Sequence, residues 1–66
     1  MITDLQRFVG LTVLIVVADG KNFLGKVTDY FYPDDNENGI ESIVIDTIDG
    51  SLVEFSREDI LTIKVI

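Results

Sequence analysis

Apolar residues occur along this chain in runs and alternations of strand length, each closed by a pair of turn-forming residues. The longest run, Val13-Leu14-Ile15-Val16-Val17-Ala18, meets Asp19-Gly20 and is followed by Asn22-Phe23-Leu24-Gly25-Lys26-Val27. Asp-Gly predicts a two-residue type I′ turn, which needs positive φ at both central positions; Gly adopts it freely and Asp tolerates it. Strands are therefore expected at about 11–18 and 22–32. Gly25 falls inside the second, where a glycine marks a bulge, a sharp bend or a close backbone approach. Further strands are expected at about 40–48, 51–56 and 60–66, with Asp49-Gly50 as a second hairpin turn. Ahead of them Ile2, Leu5, Phe8 and Val9 recur at helical spacing, which predicts a short helix over about 2–9. Thr3 and Gln6 are spaced as a capping box at its start, and Gly10 is placed to stop it. Pro33 and the polar stretch Asp34-Asp35-Asn36-Glu37-Asn38-Gly39 form the only long loop, ending in an Asn-Gly turn into the third strand. In the polar connection Ser56-Arg57-Glu58-Asp59, Ser56 is placed to cap one helical turn before Ile60.

Five short strands with turn signals between them suit a small, strongly bent antiparallel barrel better than a flat sheet with two long exposed edges. In the first strand Val13, Ile15 and Val17 point to one face and Leu14, Val16 and Ala18 to the other, so both faces need cover. One is expected to be the barrel interior, and the other to meet Leu5 and Phe8 of the helix, a neighbouring subunit, or both. The fifth strand, Ile60-Leu61-Thr62-Ile63-Lys64-Val65-Ile66, has no charge or proline beyond Lys64 to guard it, as suits an edge that receives a partner strand. Leu61, Ile63 and Val65 are its candidate contacts.

Composition adds a reason for association. Sixty-six residues make one domain, near the lower size limit for a chain folding on its own core. With no Cys and no His there is neither a disulfide nor a structural zinc to add stability, which leaves very regular packing or self-association. We expect a homo-oligomer joined through edge strands. No apolar run approaches the ~20 residues of a membrane span, and the N-terminus lacks the basic start and apolar core of a signal peptide. A soluble cytoplasmic protein, with no membrane partner, is the expectation. Twelve acidic against five basic residues give a formal net charge of −7, which disfavours nucleic acid and anionic membranes, since both gain affinity from Lys and Arg.

The order of short helix, strand, Asp19-Gly20, Phe23, Gly25 and Val27, then a final pair of strands around Val53-Glu54-Phe55 and Asp59-Ile60, resembles the Sm-like (LSm) domain family. In that family a strand ending in aspartate-glycine precedes a strand with an aromatic, a glycine and an aliphatic residue at these intervals. The resemblance spans nearly the whole chain. It implies a five-stranded SH3-like barrel behind an N-terminal helix, and rings in which the fourth strand of one subunit pairs with the fifth of the next. It also implies where RNA would be read. At the positions where the family holds an aspartate and then a methionine-asparagine pair, this chain has Phe31 and Asp34-Asp35, and only the aromatic Tyr30 matches. Leu61-Thr62 replaces the arginine-glycine or lysine-glycine that follows the isoleucine. Two carboxylates thus stand where the family's uridine pocket uses an amide and a cation. Tyr30, Phe31 and Tyr32 remain candidates for stacking on bases or for packing in the barrel.

Asp34, Asn36, Asn38 and Gly39 reproduce the first half of a calcium loop, while the position of its bidentate glutamate is Ile45 and Glu41 falls where a side chain points away. We expect no resident metal and no cofactor. Catalysis is not expected either, because there is no His, Cys or Gly-rich phosphate loop, and Ser42, Ser51 and Ser56 have no base nearby in sequence. The expectation is a non-catalytic, self-associating interaction or scaffold module. An RNA-binding Sm-like ring and a monomeric SH3-like module that binds peptide through Tyr30, Phe31 and Tyr32 are the alternatives.

Overall fold

The alternating segments form strands, and the computed structural model, which describes residues 5–66, joins them in one antiparallel sheet. The strands are β1 (Thr12–Val17), β2 (Asn22–Phe31), β3 (Ser42–Thr47), β4 (Leu52–Ser56) and β5 (Ile60–Val65). Their order across the sheet is β4-β3-β2-β1-β5. The mainly β, five-stranded antiparallel architecture is the one expected. The sheet is open, and β4 and β5 are its two edges. They run in the same direction, because each step between them is antiparallel.

Alternation puts Val13 and Ile15 of β1, Val27 of β2, Ile43 and Ile45 of β3 and Phe55 of β4 on one buried face. Phe23 meets Phe55 edge-to-face with ring centroids 5.0 Å apart. Leu5 and Phe8 join this same core. They do not cover the opposite face, so of the covers expected there, the helix stripe or a neighbouring subunit, the helix stripe is not the one. There Leu14, Val16 and Leu24 are half-buried, with Leu14 lying between Leu24 and Lys64 in the register. The helix itself is shorter than expected. Among the described residues it is a single 3-10 turn, Leu5–Phe8, extended by Val9 N–H to Gln6 C=O and Leu11 N–H to Phe8 C=O bonds of three-residue span. Ile2 and Thr3, and with them the capping box, lie outside the described residues.

Two corrections concern the hairpins. Asp19 and Asp49 do not have positive φ, so neither turn is type I′; only Gly20 and Gly50 do, each at +90°. Both loops have three residues, closed by one bond of three-residue span (Gly20 N–H to Val17 C=O and Gly50 N–H to Thr47 C=O, both 2.9 Å) and one of four (Val17 N–H to Lys21 C=O and Thr47 N–H to Ser51 C=O). The aspartate shapes each loop through its side chain, accepting the N–H two residues on: Lys21 to Asp19 at 3.0 Å and Ser51 to Asp49 at 3.1 Å. Asp49 also accepts the Thr47 hydroxyl, and that bond first, then Ser51, holds its carboxyl below the usual value. Its contribution to the hairpin is therefore present above the ordinary carboxylate pKa and lost as pH falls through the lowered one. A side chain at Gly20 or Gly50 would meet no atom within 4 Å, so only backbone strain opposes it. Gly20→Ala and Gly50→Ala should each cost about 1 kcal/mol, read as a lower urea midpoint with unchanged slope.

The third correction concerns Gly25. It is neither bulged nor at positive φ, but sits in regular register between Val13 of β1 and Thr47 of β3. A Cβ there would lie 2.9 Å from the Asp46 carbonyl carbon and from Thr47 Cα, and closer still to the Asp46 oxygen. Close approach of the β3 backbone is what this position requires. The register shifts fall elsewhere, between Val27 and Asp29 in β2 and between Val16 and Val17 opposite β5. Such irregularities bend and twist the strands that carry them.

Candidate functional site

In an antiparallel ladder, hydrogen-bonded pairs alternate with pairs whose backbone groups face the other way. Ile66 N–H donates to Thr12 C=O at 3.0 Å, so the next hydrogen-bonded pair is Leu14 with Lys64. The backbone groups of Ile63 and Val65 therefore face the free edge. At the other edge Thr47 N–H donates to Ser51 C=O at 2.8 Å, and the same alternation makes Ile45–Val53 and Ile43–Phe55 the bonded pairs. Leu52, Glu54 and Ser56 of β4 thus turn their backbone groups outward. Exposed apolar side chains accompany these groups: Leu52 is 70% exposed, Leu61 60% and Val65 48%. Ile63 is half-buried against the core. Of the three candidates on β5, Ile63 and Val65 thus share the edge, and Leu61 falls at the register shift.

The aromatic candidates do not form one platform. Tyr30 packs on the core, Tyr32 stands edge-on to it with centroids 5.0 Å apart, and exposed Phe31 points to the opposite face of β2. The Tyr32 hydroxyl accepts Gln6 Nε2–H at 3.0 Å. Asp34 and Asp35 lie exposed in a 3-10 turn, Pro33–Asp35, outside β2. Beyond it the loop satisfies itself. Asn36 Nδ2 donates to Ile40 C=O at 2.6 Å and to Ser42 Oγ at 3.1 Å, and Asn38 Oδ1 accepts Ile40 N–H at 3.0 Å. Among the described residues no group of three or more His, Cys, Asp or Glu is placed to hold a metal ion.

No protein-family model, curated protein or solved structure matches this chain. Among the described residues no helix is long and apolar enough to cross a membrane.

Glu41, Ser42 and Glu54 make hydrogen bonds that their sequence neighbourhood did not announce. Glu41 is only 5% exposed. Its Oε1 accepts the Leu5 N–H at 2.9 Å, and Arg57 Nε lies 3.6 Å from Oε2. One carboxylate thus ties the N-terminal turn to the turn Arg57–Asp59 that leads into β5. Glu41→Ala should leave the Leu5 N–H buried without an acceptor and cost about 1–3 kcal/mol in a thermal or urea melt. Glu41→Gln, which keeps the acceptor, should cost less. Ser56 begins that second turn, but its side chain makes no capping bond; its Oγ is buried and has no hydrogen-bond partner. It lines a cavity of about 320 Å³ between the loop and the outer face of β3 and β4, together with Asn36, Glu37, Asn38, Ile40, Ser42 and Glu54. Ser42 Oγ donates to Glu54 Oε2 across that face at 2.7 Å.

Proposed function

We propose that this protein is a non-catalytic, Sm-like barrel that self-associates through the edges of its sheet and serves as an interaction or scaffold module, and that it works in the cytoplasm. The observation that supports this reading is the pair of complementary edges. β4 and β5 end opposite sides of one sheet, each with outward backbone donors and acceptors and exposed apolar side chains. Such edges template the addition of another strand. The register shifts in β2 and opposite β5 favour a curled sheet of the barrel type, and the sequence resemblance to Sm-like domains points the same way. A chain of this size also gains stability when association covers its edges.

Light scattering over a range of concentrations tests the reading. A particle several times the 7.4 kDa chain mass supports it, and a mass that stays at 7.4 kDa throughout overturns it. In that event the monomeric peptide-binding alternative becomes the leading account. The RNA-binding alternative has its own test. Carboxylates at positions 34 and 35, Leu61-Thr62 after Ile60 and the net charge of −7 all oppose phosphate. Uridine-rich RNA should therefore bind no tighter than the ~10⁻⁴–10⁻⁶ M of non-specific contacts. Sub-micromolar, salt-sensitive binding in a fluorescence titration would reverse the order of the two readings.

A further inference from the structure

Aspartate or asparagine precedes glycine at three turns: Asp19-Gly20, Asn38-Gly39 and Asp49-Gly50. In all three the glycine has positive φ, and a Cβ there would meet no atom within 4 Å. A glycine nitrogen without a side chain beside it can reach the side-chain carbonyl carbon of the residue before it, provided that carbon is electrophilic. The aspartates fail this condition. Each is ionised at neutral pH, and its carboxylate is engaged in its own loop, Asp19 beside Lys21 at 3.9 Å and Asp49 by the Ser51 N–H at 3.1 Å. Asn38 presents a neutral amide instead.

The other asparagines are protected. Asn36 is half-buried, donates from Nδ2 to Ile40 C=O at 2.6 Å and to Ser42 Oγ at 3.1 Å, and is followed by Glu37. Asn22 lies in β2 ahead of Phe23, whose ring packs on Phe55. Asn38 differs on every count. It is exposed in the loop, and its Nδ2 has no hydrogen-bond partner among the described residues. Its Oδ1 accepts the Ile40 N–H at 3.0 Å. A single turn bond, to Asn36 C=O at 3.0 Å, restrains the Gly39 nitrogen.

We propose that Asn38 is a modification site at which the folded chain deamidates itself, with hydroxide and water as the only co-reactants. Hydroxide takes the proton of the Gly39 amide once its turn bond opens, and the nitrogen adds to Cγ of Asn38. Negative charge then collects on Oδ1, the atom to which the Ile40 N–H already donates, so the loop supplies its own oxyanion donor. The Cγ–Nδ2 bond breaks, and the nitrogen leaves as ammonia with a proton from water, which restores the hydroxide. Water then opens the cyclic imide at either carbonyl. Hydrolysis at Cγ gives aspartate, which still offers Oδ1 to Ile40. Hydrolysis at the main-chain carbonyl gives isoaspartate, whose main chain runs through the former side chain and is longer by one carbon. Asn38 and Glu54 line the same cavity, so either product adds a carboxylate to its wall in a chain whose net charge is already −7.

Mass spectrometry tests the assignment on protein held in mildly alkaline buffer below its melting temperature, beside a sample unfolded in urea. The folded sample should gain about 1 Da, mapped to residue 38 and not to Asn22 or Asn36, and faster as pH rises. Ion exchange should resolve two more acidic products, one of them eluting with the Asn38→Asp variant. Asn38→Ser keeps an oxygen for the turn and should lose the mass gain, with an unchanged circular dichroism spectrum. The peptide map of the parent decides the site whether or not that variant folds. A gain that arises first at Asn22 or Asn36 overturns the proposal. So does a folded sample that stays unmodified, whether or not the urea sample reacts, because the loop then shields Asn38 instead of activating it.

Discussion

Gly25→Val should destabilise the fold by about 2–4 kcal/mol, a large share of the ~3–10 kcal/mol expected for a chain of this length. The cause is a clash with backbone, not a demand for unusual dihedrals. Gly25 has no positive φ, yet a Cβ built on it would lie 2.9 Å from two backbone atoms of Asp46 and Thr47. Backbone cannot rotate away as a side chain can. Either β3 moves outward and weakens its ladder with β2, or the valine is strained in place. Thermal melts should show a drop of roughly 10 °C or more. Gly25→Ala isolates the cause, because alanine adds only the offending carbon and still has good freedom elsewhere. A substantial loss for alanine as well would establish close approach. An alanine variant as stable as the parent would refute it and leave the valine effect to side-chain bulk.

Gly25 also illustrates what the sequence made legible. An isolated glycine in a strand pattern announced that the backbone there was special, and it is. It did not announce which constraint applied, because the crowding atoms belong to β3, some twenty residues later in the chain. The irregularity expected at Gly25 falls between Val27 and Asp29 instead, in a stretch with no glycine to signal it. The hairpins show the same division. Asp19-Gly20 and Asp49-Gly50 located both turns correctly, since a positive-φ glycine and an aspartate bonding forward are local chemistry. The loop length was misjudged because the same dipeptide serves a three-residue loop in which only the glycine needs positive φ. The alternation of Val13, Ile15 and Val17 separated the two faces of β1, while Leu5 and Phe8, offered as one cover for the second face, pack on the same side as Val13 and Ile15, a tertiary matter that periodicity does not decide. Glu41 was the least legible residue of all. Nothing distinguishes one carboxylate in an acidic stretch until folding brings Leu5 and Arg57 to its two oxygens. The cavity beside β4 was hidden for the same reason, since its lining comes from the loop, β3 and β4 together.

Proline on β5 should separate folding from assembly according to which way each backbone N–H points. The Lys64 N–H faces β1, in the bonded pair with Leu14, so Lys64→Pro should remove a ladder bond within the chain and destabilise it, by about 3 kcal/mol if the cost resembles that of an interior proline. The N–H groups of Ile63 and Val65 face the free edge. Proline there removes no bond from the isolated chain, but it withdraws a donor that a neighbouring strand needs and places a ring in its path. Ile63→Pro should therefore lower the native mass to that of the single chain, with a smaller loss of stability arising from the half-buried isoleucine side chain. Val65→Pro reduces that complication, because Val65 is 48% exposed. It should leave the melting profile of the dilute protein nearly unchanged while abolishing or strongly weakening association at high concentration. The comparison rests on one strand read at three consecutive positions. If Val65→Pro and Ile63→Pro associate as the parent does, β5 is not the edge that receives a partner. If Lys64→Pro alone keeps its stability while its two neighbours unfold, the hydrogen-bond alternation assigned to β1 and β5 is reversed, and the inner and outer faces of the edge must be exchanged with it.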